Sequence, residues 1–138
     1  MIEHALLDTG PLVAFLRADD EFHEWTVARM KELRAPFLTC EAVLSEACFL
    51  IEYQGVAVAQ LATLIEQGWI RVVFDFSDEA EAVMALMQRY ANVPMSFADA
   101  CLVRMAEQHN GKPVFTLDRD FRVYRKNGRQ AIPLICSR

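Results

Sequence analysis

Four acids are spread along this chain at positions that a fold could bring together. They are Asp8 in Leu6-Leu7-Asp8-Thr9-Gly10, Glu46 in Ser45-Glu46-Ala47, Asp99 in Phe97-Ala98-Asp99-Ala100, and Asp118 in Thr116-Leu117-Asp118-Arg119-Asp120. Each follows an expected strand or sits on a neighbouring helix, and a parallel α/β sheet gathers such positions at its carboxyl edge. Four carboxylates placed together without a cation repel one another and raise each other's pKa values. The set therefore points to a hard divalent cation, Mg²⁺ or Mn²⁺, which selects carboxylate oxygens and water. Cys40, Cys48, Cys101 and Cys136 show no C-x-x-C spacing, and His4, His23 and His109 are scattered, so no zinc site is indicated.

Each acid alone also has an ordinary reading. Asp8 can cap a helix, since Gly10-Pro11 follows at once. Glu46 can face solvent, because helical register does not decide which side it takes. Ser96-Phe97-Ala98-Asp99 fits a capping box, although Glu usually serves there, and the shorter Asp leaves its carboxylate free to point elsewhere. Asp118 and Asp120 can begin a turn, and they share a side only if the segment stays extended. The equivalence of their places in the inferred architecture is what makes the set stronger than its members.

The elements that would hold them read as alternating strands and helices. His4 to Leu7 forms a strand, and Leu12, Val13, Phe15 and Leu16 recur at helical spacing behind Pro11, which suits a first helical turn. A helix is expected from about Glu21 to Leu33, stopped by Pro36, then a strand over Phe37-Leu38-Thr39, with Thr39 able to cap the helix that carries Glu46. Val56 to Gln67 reads as a helix with apolar residues nearly all round, ended by Gly68. Ile70 to Phe76 reads as a strand, Ser77-Asp78-Glu79 opens a helix reaching Tyr90, and Ser96 starts another ended by Asn110-Gly111. Val114 to Thr116 gives a fourth strand, and Ile132-Pro133-Leu134-Ile135 a fifth at an edge, where proline is tolerated. This is an α/β chain, a three-layer α/β/α arrangement around a parallel sheet of four to five strands, with residues 1–138 as one domain.

The totals agree. The chain has 138 residues, 54% of them hydrophobic, ample for one core. No apolar stretch approaches the roughly 18 to 20 residues that a membrane span needs, and no signal peptide is recognisable, so a soluble, cytoplasmic protein with reduced thiols is expected. Net charge is −5, but from Lys112 onward seven basic residues stand against two acids. A local basic stripe can steer an anionic polymer within the roughly 8 to 10 Å that salt leaves unscreened, although such a stripe is also an ordinary solvated surface.

In the order and spacing of the four acidic motifs, together with Gly10-Pro11-Leu12-Val13-Ala14-Phe15-Leu16 and Val114-Phe115-Thr116-Leu117-Asp118-Arg119-Asp120-Phe121, the chain resembles the PIN-domain ribonucleases, and most of all the VapC-type toxins of toxin–antitoxin pairs. The similarity covers virtually the whole chain, from near residue 5 to about residue 135. It implies a Mg²⁺- or Mn²⁺-dependent endoribonuclease leaving 3′-hydroxyl and 5′-phosphate ends, frequent homodimers, and a small antitoxin partner. The family's acidic site maps to Asp8, Glu46, Asp99 and Asp118, with Thr9, Thr116 and Asp120 in supporting positions. Asp8, Asp99 and Asp118 would hold the metal, and Glu46 would ligate it, hold a second ion or orient the attacking water, while Arg119 or Arg122 would meet the RNA phosphate. The apolar helix from Val56, with the helix carrying Glu46, would line a groove for the partner. Two other readings are weighed: the Asp8-Thr9-Gly10 signature of aspartic proteases, which calls for β-rich halves, and a PIN-like domain that binds RNA or protein without cleaving.

Overall fold

The computed structural model describes residues 2–51 and 55–137. The described elements are β1 (Ile2–Glu3), β2 (Leu6–Leu7), α1 (Thr9–Leu16), α2 (His23–Lys31), β3 (Leu33–Arg34), β4 (Phe37–Thr39), α3 (Glu41–Leu50) and α4 (Gly55–Glu66). They continue through β5 (Ile70–Val72), α5 (Phe76–Arg89), α6 (Phe97–Gln108), β6 (Val114–Thr116), a 3₁₀ turn (Arg119–Arg122), β7 (Arg125–Lys126), β8 (Gln130–Ala131) and β9 (Leu134–Cys136).

Five strands form one sheet in the order β5-β4-β2-β6-β9, and every pairing in it is parallel. Parallel neighbours need crossovers, and helices supply them, which is why β2 and β6 are buried throughout and apolar except for Thr116. The middle strand β2 lies between β4 and β6, so the carboxyl ends of these three strands are adjacent. Asp8 leaves β2, α3 begins behind β4, and Asp118 follows β6 by two residues. Helix α6 leads into the amino end of β6, so it starts at the opposite, carboxyl edge and brings Asp99 there in its first turn. Topology alone thus collects residues more than a hundred positions apart.

Two local features set the geometry of that edge. Asp8 caps α1 by accepting the Thr9 N–H. A Cβ on Gly10 would lie 3.2 Å from Leu117 Cβ, so glycine lets α1 press against the segment that carries Asp118. Beneath, the Phe115 ring packs against Trp25 and Phe37.

Several expectations are refined. Thr39 does not cap α3: Cys40 stands at that cap, and the fully buried Thr39 hydroxyl instead donates to the Leu7 carbonyl at 2.8 Å, tying β4 to β2. The strand after Gly68 ends at Val72, because Asp75 caps α5 through the Ser77 N–H and draws Phe76 into the helix. Helix α4 is apolar nearly all round, as expected, yet only Ala57 and Leu61 are buried, while Val56, Val58 and Ile65 are exposed. The β1–β3 pair and the β7–β8 hairpin have no counterpart in the sequence reading, whereas the turn that Asp118 could begin is the 3₁₀ turn it caps. No helix among the described residues is long and apolar enough to cross a membrane.

Candidate functional site

At the carboxyl edge of the sheet lies a cleft of about 720 Å³ lined by all four acids, together with Thr9, Ser96 and Arg119. Asp8 is its floor. One oxygen, Oδ1, accepts the Thr9 N–H at 2.7 Å, and the other, Oδ2, accepts the Thr116 hydroxyl at 2.7 Å. Only 6% of Asp8 is exposed, and burial pushes its pKa from 3.8 up to about 7, against the lowering effect of those donors; the nearby Asp99 and Asp118 carboxylates push it further. Half of the Asp8 side chains would then hold a proton at neutral pH unless a cation displaced it.

The Thr116 hydroxyl serves two acids at once. Besides donating to Asp8, it accepts the Asp118 N–H at 2.9 Å, and the Asp120 N–H in turn reaches Asp118 Oδ1 at 2.8 Å. This fixes Asp118 and leaves its Oδ2 with no donor among the described residues. Thr9 makes the matching link on the other side, its hydroxyl donating to Glu46 Oε1 at 3.0 Å across 37 residues of sequence and leaving Oε2 open. Glu46 therefore turns toward the cleft, although Val43 and Ala47 are the buried face of α3. Asp99 does close the capping box, with the Asp99 N–H donating to Ser96 Oγ at 3.0 Å and the Ser96 N–H reaching Asp99 Oδ2 at 3.4 Å. The same Oδ2 accepts the Tyr124 hydroxyl at 3.0 Å. Burial raises the Asp99 pKa above the usual carboxylate range in spite of these donors. The local and functional readings of Asp99 are therefore compatible, since the box uses Oδ2 alone.

Three of the four acids thus present one oxygen held by protein donors and one without, a pattern suited to a hard cation that keeps part of its water shell. Among the described residues no three His, Cys, Asp or Glu side chains already stand as a group that could hold a metal ion, so a bound cation would need these carboxylates to draw closer and water to complete its shell. The supporting positions divide. Thr9 and Thr116 are wired into the acids, whereas Asp120 contributes a backbone N–H and its carboxylate does not line the cleft. Arg119 lines the cleft and Arg122 does not. The basic stripe is also less free than its charge count implies, because the Arg125 guanidinium is spent on the Arg122, Val123 and Tyr124 carbonyls and Lys126 is buried against Asn110. His4 and His23 each bond a backbone carbonyl, and all four cysteines are free. Tyr124 was not legible in the sequence as a site residue, since nothing in Arg122-Val123-Tyr124-Arg125 places its hydroxyl 25 residues back on α6.

With this fold and site, the chain belongs to the PIN domain family, whose model matches residues 5–127. Among solved structures it is similar to Mycobacterium tuberculosis VapC20, described as a sarcin-ricin loop cleaving toxin, with 22% sequence identity and a TM-score of 0.64, covering 78% of this chain and 82% of that one. At that identity the likeness is one of fold. No curated protein matches. The parallel sheet, with a helix beginning directly after Asp8, removes the aspartic-protease reading.

Proposed function

We propose that this protein is a divalent-metal-dependent endoribonuclease, the toxin of a toxin–antitoxin pair. The observation that carries the reading is the single cleft in which Asp8, Glu46, Asp99 and Asp118 meet, with Asp99, Asp118 and Glu46 each keeping one oxygen free of protein donors. Mg²⁺ or Mn²⁺ bound there would lower the pKa of a coordinated water and offset charge on a phosphodiester. The chain's own residues divide the remaining work. Asp8, Asp99 and Asp118 hold the ion, Glu46 Oε2 is free to orient the attacking water and accept its proton, and Arg119 offsets charge on the phosphate. A surface used only for binding RNA would gain nothing from carboxylates facing phosphate, which argues against the non-catalytic reading. The test is cleavage of RNA by purified protein with and without Mg²⁺ or Mn²⁺, beside Asp99→Asn. Activity that survives chelation or survives Asp99→Asn, in protein free of contaminating nuclease, would refute it.

The partner reading takes a changed form. A largely apolar depression of about 440 Å³ and a more mixed one of about 500 Å³ run beside α4 and share Phe15. Their other walls come from α1 and α2 and, in the first, from β3 to β5, with Met30 and the half-exposed Trp69 prominent beside Leu64 of α4, and α3 contributes to neither. An amphipathic helix of a small antitoxin fits such a trough. The reading frame beside the gene is expected to encode it, and co-expression is expected to recover a complex with suppressed cleavage. A harmless product that purifies alone would remove the toxin reading and leave the nuclease. A homodimer is the assembly to look for in the isolated protein, by its mass in solution.

A further inference from the structure

Tyr124 does not line the cleft, yet its hydroxyl bonds one of the four acids. Its side chain is fully buried, with edge-on ring contacts to Tyr90 and to Phe121 at 5.2 Å each. The Tyr90 hydroxyl accepts the N–H of the next residue, Arg125, at 2.9 Å, so backbone and ring are both held. Two acceptors lie within reach of the phenol: Asp99 Oδ2 at 3.0 Å and the Pro94 carbonyl at 3.4 Å. A buried tyrosine needs only one acceptor, and a neutral carbonyl would satisfy it. The closer partner here is the carboxylate.

The consequence is an asymmetry in Asp99. Oδ2 takes both the Tyr124 O–H and the Ser96 N–H, and Oδ1 takes no donor from the described residues. The Ser96 bond is the longer of the two at 3.4 Å, and by itself it holds the terminal carboxylate torsion only loosely. The phenol, closer at 3.0 Å and carried on a fully buried ring, restrains that rotation. We infer that Tyr124 is a positioning residue for the metal site: it fixes the rotamer of Asp99 so that Oδ1 is the oxygen presented to a divalent cation. The inference rests on the nuclease reading above. It also gives the segment after Asp118 a role that its sequence does not announce, since the 3₁₀ turn that carries Asp118 at its cap and Tyr124 just beyond its end would set two of the four acids together.

The variant is Tyr124→Phe, which keeps the buried ring and removes one oxygen. Its matched control is Tyr90→Phe, which removes a hydroxyl from the ring stacked beside it without touching an acid. Mn²⁺ binding is measured by calorimetry without RNA, cleavage is measured across a Mn²⁺ titration, and melting midpoints are taken in chelator. Groups that orient a metal ligand typically contribute 10- to 100-fold in affinity or activity, so Tyr124→Phe is expected to bind Mn²⁺ about 10- to 100-fold more weakly. Its cleavage should recover as Mn²⁺ is raised, and Tyr90→Phe should bind as the parent does even if it melts lower. Unchanged Mn²⁺ binding by Tyr124→Phe, or an equal loss in Tyr90→Phe, would overturn the positioning role while leaving the nuclease reading intact. A parent that binds no Mn²⁺ would overturn both.

Discussion

The acid cleft and the apolar trough are two concavities on the same chain, and they are built in opposite ways. The cleft places four carboxylates around a volume of about 720 Å³, two of them buried and raised in pKa. The trough beside α4 is lined by aliphatic and aromatic side chains at its Trp69 end and by Arg17, His23 and Gln60 among apolar residues at the other. The first costs stability in the free protein, because ionised groups are desolvated and repel. The second leaves apolar area in water that a partner could cover. Each region is thus incomplete by itself, one short of positive charge and the other of apolar contact, and the difference tells what would stabilise each.

The comparison breaks most sharply at the chemistry. Asp118→Asn and Asp8→Asn should each lower RNA cleavage by about 10³-fold or more, the scale on which rate is lost when the groups that generate the nucleophile fail. Glu46→Gln should fail by somewhat less. None of these changes should weaken capture of a partner through the trough. A variant that lost both activities would show that the two regions are not separable.

Next in size is the dependence on pH. The folded pKa of Asp8, about 7, lies above its unfolded 3.8, so its contribution to stability is fully present below about 3.8 and is lost as pH rises through about 7. The difference corresponds to roughly 4 kcal/mol as an upper bound. Asp99 adds in the same direction. Denaturant midpoints of the metal-free protein should therefore fall between about pH 4 and pH 7 and then level, and Asp8→Asn should flatten that slope. Mn²⁺ should reverse the sense, its affinity rising with pH as it displaces the Asp8 proton. Stability independent of pH over this range would mean that Asp8 is far better solvated than its burial implies. At the trough, Trp69→Asp should weaken partner binding by about 30-fold, the loss expected at a central aromatic anchor, with cleavage unchanged. Capture at parental affinity would move the partner elsewhere.

The two regions also differ in how far the sequence announced them. The acids were legible because topology does the gathering: an acid just past a strand in a parallel sheet has little choice of edge, and Asp8 and Asp118 meet that condition. Asp99 was legible as a pair of alternatives that the structure makes compatible. Glu46 was not decided by helical register, because its orientation depends on the Thr9 hydroxyl of another element. The walls of the trough were not legible for a related reason. Apolar residues all round α4 show that it needs cover, but not which neighbours leave a gap, and that depends on how α1 and α2 pack. Thr39 and Tyr124 mark the same limit, since each hydroxyl finds its acceptor across the tertiary fold.

The smallest expected effect lies at the link that orients Glu46. Thr9→Val keeps the shape of the side chain and removes the hydroxyl that donates to Glu46 Oε1. The Thr9 N–H still donates to Asp8, so the floor of the cleft should be unchanged. Glu46 is only half-buried, and water can replace the lost donor, so stability should fall by no more than about 1 kcal/mol. What changes is orientation. A glutamate free to swing toward solvent spends less time with Oε2 at the attacking water, and cleavage should drop by about tenfold or less, in kcat rather than in KM. Mn²⁺ binding should be nearly unaffected if Glu46 works on the water, and should weaken if Glu46 ligates the ion. Measuring both in the one variant therefore separates the roles left open for Glu46, and a Thr9→Val protein with parental kcat would show that the hydroxyl link does not orient it.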